Sequence, residues 1–186
     1  MDNLATESDL IAELRRGDEV AFKRVFEAHQ ERIYNTVLYM IQSAEEAKDV
    51  TQEVFVDVFL NIDTFKGQSK LTTWMYRIAI NKALNHLRFK KAKKRLGAVL
   101  SIFNLSPVDD VPDFVQPSLI LENKELSEAL YRAIDGLPDK QKTAFVLRQL
   151  EDLSYAEIAE VMQTTTPSVE SLLFRAKQNL QKVLRY

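Results

Sequence analysis

The chain contains no cysteine and only two histidines, His29 and His86. Disulfides, thiol catalysis and Cys-based zinc sites are excluded, and a multi-histidine metal site lacks ligands. Turn formers are scarce as well: four Gly and five Pro, about 5% of the chain against roughly 12% in an average protein. That scarcity argues for long helices and few connections. The glycines, Gly17, Gly67, Gly97 and Gly136, stand too far apart for any G-x-G phosphate loop. No apolar run approaches the ~18 residues of a membrane span, so direct membrane insertion is not expected. The segment Met1 to Asp9 is acidic and has no apolar stretch, so no signal peptide is expected and the protein is placed in the cytoplasm. Nothing implies a cofactor or a metal.

What is present suits a soluble helical protein of 186 residues, with 46% hydrophobic and 28% charged residues. Ser8 is positioned to cap a short helix that Gly17 ends, and Asp18 to cap the next. In that second helix Phe22, Val25, Phe26, His29, Ile33, Val37 and Met40 recur at helical spacing. Ser43-Ala44-Glu45-Glu46 reads as a capping box opening a helix to about Ile62. A loop over 63–70 follows, then a long helix from about Thr72 to Arg95. Residues 96–120 change character: Pro107, Pro112 and Pro117 stand among Asp109, Asp110 and Asp113, as in an extended acidic linker. Helices resume near Leu121, pause at Gly136-Leu137-Pro138, restart at a second capping box, Ser154-Tyr155-Ala156-Glu157, and end in a helix running almost to Tyr186. The fold class is therefore all-α: two helical domains, 1–95 and 121–186, joined by a 96–120 linker.

Three surfaces stand out. Ser154–Met162, a short turn and a longer helix from Pro167, with Thr166 at its N-cap, have helix-turn-helix spacing. Val169, Leu172, Leu173, Ala176, Leu180 and Val183 form the inward stripe of that longer helix. Ser168, Ser171, Arg175, Gln178 and Lys182 lie opposite, as in a major-groove reader or a merely solvated face. In the 72–95 helix, Arg77, Asn81, Asn85 and Arg88 make one polar line against the apolar Tyr76, Ile80, Ala83, Leu84 and Leu87. Its end carries Arg88, Lys90, Lys91, Lys93, Lys94 and Arg95, a cluster that attracts phosphates. Phe65, Lys66, Lys70 and Trp74 precede it, aromatic beside basic as unstacked bases require, although spacing alone favours a core role for Trp74. On the 44–62 helix, Ala47, Val50, Val54, Phe55, Val58, Phe59 and Ile62 point inward. Asp49, Gln52, Glu53, Val56, Asp57 and Leu60 form an acidic stripe with two apolar residues in it, the pattern of a partner surface. No catalytic set emerges: His29 sits on an apolar stripe, and no neighbouring carboxylate is expected to activate His86.

Taken in order, Ala47-Lys48-Asp49-Val50-Thr51-Gln52-Glu53-Val54-Phe55, Thr73-Trp74-Met75-Tyr76-Arg77-Ile78-Ala79-Ile80-Asn81, Leu137-Pro138, Leu153-Ser154-Tyr155-Ala156-Glu157-Ile158-Ala159 and Val169-Glu170-Ser171-Leu172-Leu173-Phe174-Arg175-Ala176 resemble the extracytoplasmic-function sigma factors, the short two-domain branch of the bacterial sigma-70 family. The resemblance covers nearly the whole chain. It implies a non-enzymatic initiation factor with sigma region 2 in the first domain and region 4 in the second. By that resemblance Asp49, Gln52, Glu53 and Val56 dock on the β′ clamp helices of core RNA polymerase. Phe65, Lys66, Lys70, Trp74, Arg77, Asn81, Asn85 and Arg88 capture the melted −10 element of promoter DNA, with Asn81 at a flipped-base pocket. Lys90, Lys91, Lys93, Lys94 and Arg95 hold phosphates. Pro167, Ser168, Glu170, Ser171, Phe174, Arg175 and Gln178 belong to the helix that reads the −35 element, and their module also touches the β flap. The linker threads toward the polymerase cleft, and an anti-sigma factor is implied as regulator.

The family often begins its recognition helix with Gly-Thr-Val and a basic residue, where this chain has Pro167-Ser168-Val169-Glu170. Glu170 repels phosphate but can accept from cytosine N4, so the −35 preference is this chain's own. Net charge is −2, with basic residues gathered at 88–95 and acidic ones at 43–63 and in the linker. Acidic segments oppose DNA binding by the isolated protein, so weak promoter binding alone is expected. The competing readings are a stand-alone helix-turn-helix regulator, which needs no polymerase, and a helical adaptor without DNA contact.

Overall fold

The computed structural model describes residues 7–101 and 124–184. Among these every regular element is helical: α1 Glu7–Arg15, α2 Glu19–Ile41, α3 Ala44–Asn61, a 3-10 turn Ile62–Thr64, α4 Leu71–Ser101, α5 Lys124–Asp135, α6 Asp139–Gln149, α7 Tyr155–Val161 and α8 Thr166–Leu184.

Local chemistry explains most boundaries. Gly17 stands at φ 73°, the left-handed conformation that ends α1. Asp18 Oδ1 then accepts from the backbone of Val20 at 2.8 Å and Ala21 at 3.0 Å, capping α2. Helix α2 closes where Gln42 turns left-handed at φ 60° and its N–H bonds Leu38 O at 2.7 Å. The box at Ser154 is complete: Ser154 Oγ accepts from Glu157 N at 3.3 Å, and Glu157 Oε2 accepts from Ser154 N at 2.9 Å.

Other boundaries differ from the sequence reading. Ser8 lies inside α1, which already begins at Glu7. Helix α4 continues six residues past Arg95, so 96–101 of the expected linker are helical. Leu96, Ala98 and Leu100 are good helix formers, Gly97 alone costs only about 1 kcal/mol, and the first proline comes at Pro107. The remainder of the linker, 102–120, lies outside the described residues, as do the N-terminal six residues and the last two. Ser43 accepts weakly from Glu46 N at 3.5 Å, but the box there is only half formed. The Glu46 carboxylate turns instead to Lys90, 44 positions away, at 2.8 Å. Thr166 is already the first residue of α8, and Thr165 stands at the N-cap in its place, its carbonyl accepting from Val169 N at 3.1 Å.

Helices α2, α3 and α4 pack on one another, with α1 against α2 and the turn. Val25, Val37, Met40, Val54, Val58, Met75 and Ile80 are buried between them, each stabilising by ~1.5–3 kcal/mol. Phe26 meets Phe55 edge-on at 4.8 Å, and Phe22 meets Phe59 at 5.1 Å. A second unit gathers α5, α6 and α7 around α8, burying Leu147, Ile158, Val161, Val169 and Ala176. Two residues assigned inward are more open: Phe59 is 41% exposed and Val183 63%. The two units touch through α2 on α5 and α6, and α4 on α7.

Candidate nucleic-acid interface

Helix α4 presents the polar line on a rigid support. Its apolar side, Tyr76, Ile80 and Ala83, is buried, which fixes the rotation of the opposite face. Asn81 and Asn85 are exposed, Arg77 is half-buried, and Arg88 donates to Asn85 Oδ1 at 3.2 Å. Beyond them Lys93, Lys94 and Arg95 are exposed. The other two lysines of the tail are engaged: Lys90 with Glu46, and Lys91 with Asp139 of α6 at 3.0 Å. His86 has the acidic neighbour that the sequence did not lead one to expect, with Nε2 3.2 Å from Glu46 Oε2. The two residues lie 40 positions apart and meet only because α3 packs on α4. His29 is half-buried, and burial followed by the nearby Arg32 lowers its pKa, holding it neutral.

The loop before α4 divides in two. Phe65 and Trp74 are buried, with ring centroids 5.4 Å apart, and form a floor. Lys66 and Lys70 are exposed. Beside the floor is an open pocket of about 100 Å³ lined by Gln68, Ser69, Thr73, Trp74, Arg77 and Glu160. The buried Thr73 hydroxyl on its wall has no hydrogen-bond partner among the described residues.

The acidic ridge lies on α3. Asp49, Gln52 and Glu53 are exposed, with Val56 54% and Leu60 68% exposed between the carboxylates. Lys82 of α4 ties Glu53 and Asp57 at 3.3 and 3.0 Å, which steadies the ridge. On α8, Pro167, Glu170, Phe174, Arg175 and Gln178 are exposed, while Ser168 and Ser171 are half-buried. Among the described residues no cluster of three or more His, Asp or Glu could hold a metal ion, and no helix is long and apolar enough to cross a membrane.

Sequence reasoning missed the contacts between the units. Glu151, only 4% exposed, is their centre. Arg32 Nε donates to its Oε2 at 2.9 Å and Arg32 Nη2 to its backbone carbonyl at 3.1 Å. Thr36 Oγ1 lies 2.6 Å from Oε1, and the Tyr76 hydroxyl donates to Oε2. Burial, then the Glu151 carboxylate, raises the Tyr76 phenol pKa, so it stays a donor. Lys70 Nζ meets Glu157 Oε1 at 2.8 Å, and Gln42 Nε2 donates to Tyr131 O at 3.0 Å. Only the capping role of Glu157 was legible, because Lys70 is 87 positions away.

The Glu157 carboxyl is held down to about 2 from 4.5 by Lys70 first, and then by the Ser154 backbone and hydroxyl. A depressed carboxyl adds stability that is fully present above its ordinary value and lost as pH falls through the folded one. The contribution of Glu157 is therefore expected to fade between pH 4.5 and about 2. Carboxyl-detected NMR titration checks this: Lys70→Met is expected to raise the Glu157 midpoint measurably, and an unmoved midpoint would rule out the pair.

Comparison with known proteins fits this arrangement. Sigma-70 region 2 matches residues 25–93 and Sigma-70, region 4 matches residues 127–180. The chain is 33% identical over 177 residues to the ECF RNA polymerase sigma factor SigW of Bacillus subtilis, covering 94% of this chain and 95% of that one. It is 33% identical over 181 residues to the RNA polymerase sigma-H factor of Pseudomonas aeruginosa, covering 96% and 94%. The ECF RNA polymerase sigma-E factor of Escherichia coli is 31% identical over 180 residues, with 96% and 94% covered. In fold it is similar to CnrH, solved in complex with the cytosolic domain of CnrY, at 19% identity and TM-score 0.70, with 94% of each chain covered. It is also similar to the sigma factor RpoE of Bartonella quintana, solved with the anti-sigma factor NepR, at 18% identity and TM-score 0.67, covering 88% of this chain and 96% of that one. With both sigma regions in order along one helical chain, and relatives matched over nearly their full length, this protein belongs to the sigma-70 family, in its ECF branch.

Proposed function

We propose that the chain joins bacterial core RNA polymerase through the α3 ridge and captures the opened −10 strand on α4, while α8 reads the −35 element. The domains are 1–95 for polymerase and −10 binding, 96–120 for the linker and 121–186 for −35 binding. Asp49, Gln52, Glu53 and Val56 meet the β′ clamp helices, and the second domain also meets the β flap. Phe65 and Trp74 form a floor beneath Lys66, Lys70, Arg77, Asn81, Asn85 and Arg88, which supply amide and cationic contacts. Lys90, Lys91, Lys93, Lys94 and Arg95 hold phosphates, and Glu170, Ser171, Phe174, Arg175 and Gln178 face the groove with Pro167 and Ser168 at the helix start. The protein works in the cytoplasm under an anti-sigma factor.

One observation supports this most. The acidic ridge on α3 and the amide line on α4 are both exposed, yet they belong to helices locked together by one core. Such a body can grip a large protein with one surface and strand DNA with another. Run-off transcription with bacterial core polymerase and a promoter library tests the reading. Adding the chain is expected to confer start-site selectivity, and core enzyme that gains none would refute it.

A further inference from the structure

We infer that α1 is a positioning element of the −10 site: Glu7 and Arg15 fasten the two ends of the 65–71 loop and hold it in the shape that meets the strand. The inference rests on reading that loop as a DNA surface.

The loop has little of its own to hold it. It leaves the 3-10 turn at Phe65, whose N–H bonds Ile62 O at 3.1 Å, and enters α4 at Leu71. Between these ends, among the described residues, no backbone–backbone hydrogen bond secures Lys66, Gly67, Gln68 or Ser69. Gly67 stands at φ 68°, and a glycine there leaves the chain free to take other shapes.

The helix that follows has no cap on its own threshold. Lys70 O accepts from Trp74 N at 3.2 Å, so Lys70 occupies the N-cap, the place that Asp18 and Ser154 hold in α2 and α7. A lysine side chain carries donors only and cannot accept from the unpaired amides of the first turn. Its cation also opposes the positive end of the helix dipole.

Helix α1 supplies what is missing at both ends. Glu7 Oε1 accepts from Leu71 N at 2.5 Å, 64 positions away. A carboxylate there satisfies an orphan donor and suits the dipole. At the other end of α1, Arg15 Nη2 donates to Phe65 O at 2.5 Å, 50 positions away. The helix is itself seated on the core through buried Leu14, with Leu10 and Ile11 packed beside it. Glu7 and Arg15 are its first and last residues, about 12 Å apart along the axis at 1.5 Å per residue. One short rod therefore sets the separation of the loop's two ends. Lys66, Gln68, Ser69 and Lys70, which face the strand in the proposed complex, all lie between them.

Charge distinguishes this role from direct contact. A carboxylate beside a strand-binding loop repels phosphate, so the negative charge of Glu7 brings DNA nothing. What the loop uses is the acceptor oxygen. Glutamine keeps that oxygen and sheds the charge, whereas alanine loses both. Glu7 and Arg15 are exposed, so replacing either leaves the apolar core intact.

The test uses the full chain with Glu7→Ala, Glu7→Gln and Arg15→Met, and thermal melting followed by circular dichroism verifies that each folds. Hydrogen exchange, read by mass spectrometry on peptides spanning 65–73, reports the loop. Glu7→Ala and Arg15→Met are expected to speed exchange there about three- to tenfold, the worth of a helix cap, while Glu7→Gln stays near the parent. Each variant is then assembled with core polymerase and titrated with a fluorescent single-stranded oligonucleotide carrying the −10 segment selected from the promoter library. Glu7→Ala and Arg15→Met are expected to weaken capture about three- to tenfold with core affinity unchanged, and Glu7→Gln to bind as tightly as the parent or tighter. Exchange unmoved in both folded variants overturns the brace. So does tighter capture by Glu7→Ala, which would leave the carboxylate acting by repulsion alone, and so does a parallel fall in melting temperature and core affinity, which would mean general destabilisation. Faster exchange with weaker capture supports both ideas, whereas faster exchange with capture untouched keeps the brace and refutes the reading of the loop as a DNA surface.

Discussion

Asn81→Ala is expected to reduce run-off transcription from duplex promoters about ten- to hundredfold while leaving affinity for core polymerase unchanged. Asn81 is exposed at the middle of the α4 line, one turn from Arg77 and one from Asn85. Its amide offers two donors and an acceptor, enough for a bidentate contact to a base edge, worth ~1–3 kcal/mol. Nothing buried depends on it, so the folding cost of the substitution is within ~0.5 kcal/mol. The measurement pairs initiation from closed duplex with initiation from a pre-melted template. If Asn81 holds an unstacked base, both fall; a loss of core binding would point to a folding defect and sink the assignment.

The second large effect concerns the ridge. Val56→Asp with Leu60→Asp is expected to weaken core polymerase binding about thirtyfold or more, as hot-spot residues cost ≥ ~2 kcal/mol each. The two residues are 54% and 68% exposed on successive turns of α3, between carboxylates. Both are more than half exposed, so little packing is lost and the folding cost is small beside the expected loss of affinity. A partner's apolar surface would instead meet two desolvated charges. Titration of labelled chain with core enzyme, without promoter, reads the effect. Full affinity in the double variant would move the docking surface elsewhere.

How much of this was legible in the sequence depended on distance along the chain. The α3 stripes were legible because 3.6-residue periodicity states which face is buried, and Ala47, Val50, Val54 and Val58 are buried as that predicts. The Asp18 and Ser154 caps were legible because a cap is decided within four residues. The Ser43 box was misread because Glu46 had a better partner on α4. The end of α4 was misread because a basic run and a change of composition look like a boundary, although nothing there breaks a helix. The Arg32–Glu151 pair, 119 positions apart, left no signal at all. Its members look like ordinary surface charges until two units are brought together.

The unbroken course of α4 has a metric consequence. At 31 residues it is a rod about 46 Å long. Arg77 and Arg95 sit on that rod roughly 27 Å apart at 1.5 Å per residue, the span of about eight nucleotide steps. If α4 holds the strand as proposed, the helix serves as a gauge: wherever its far end clamps the backbone, the near end falls at a fixed nucleotide. One residue inserted between Asn85 and Arg88 would rotate the clamp by about 100° and slide it 1.5 Å, with every side chain still in place.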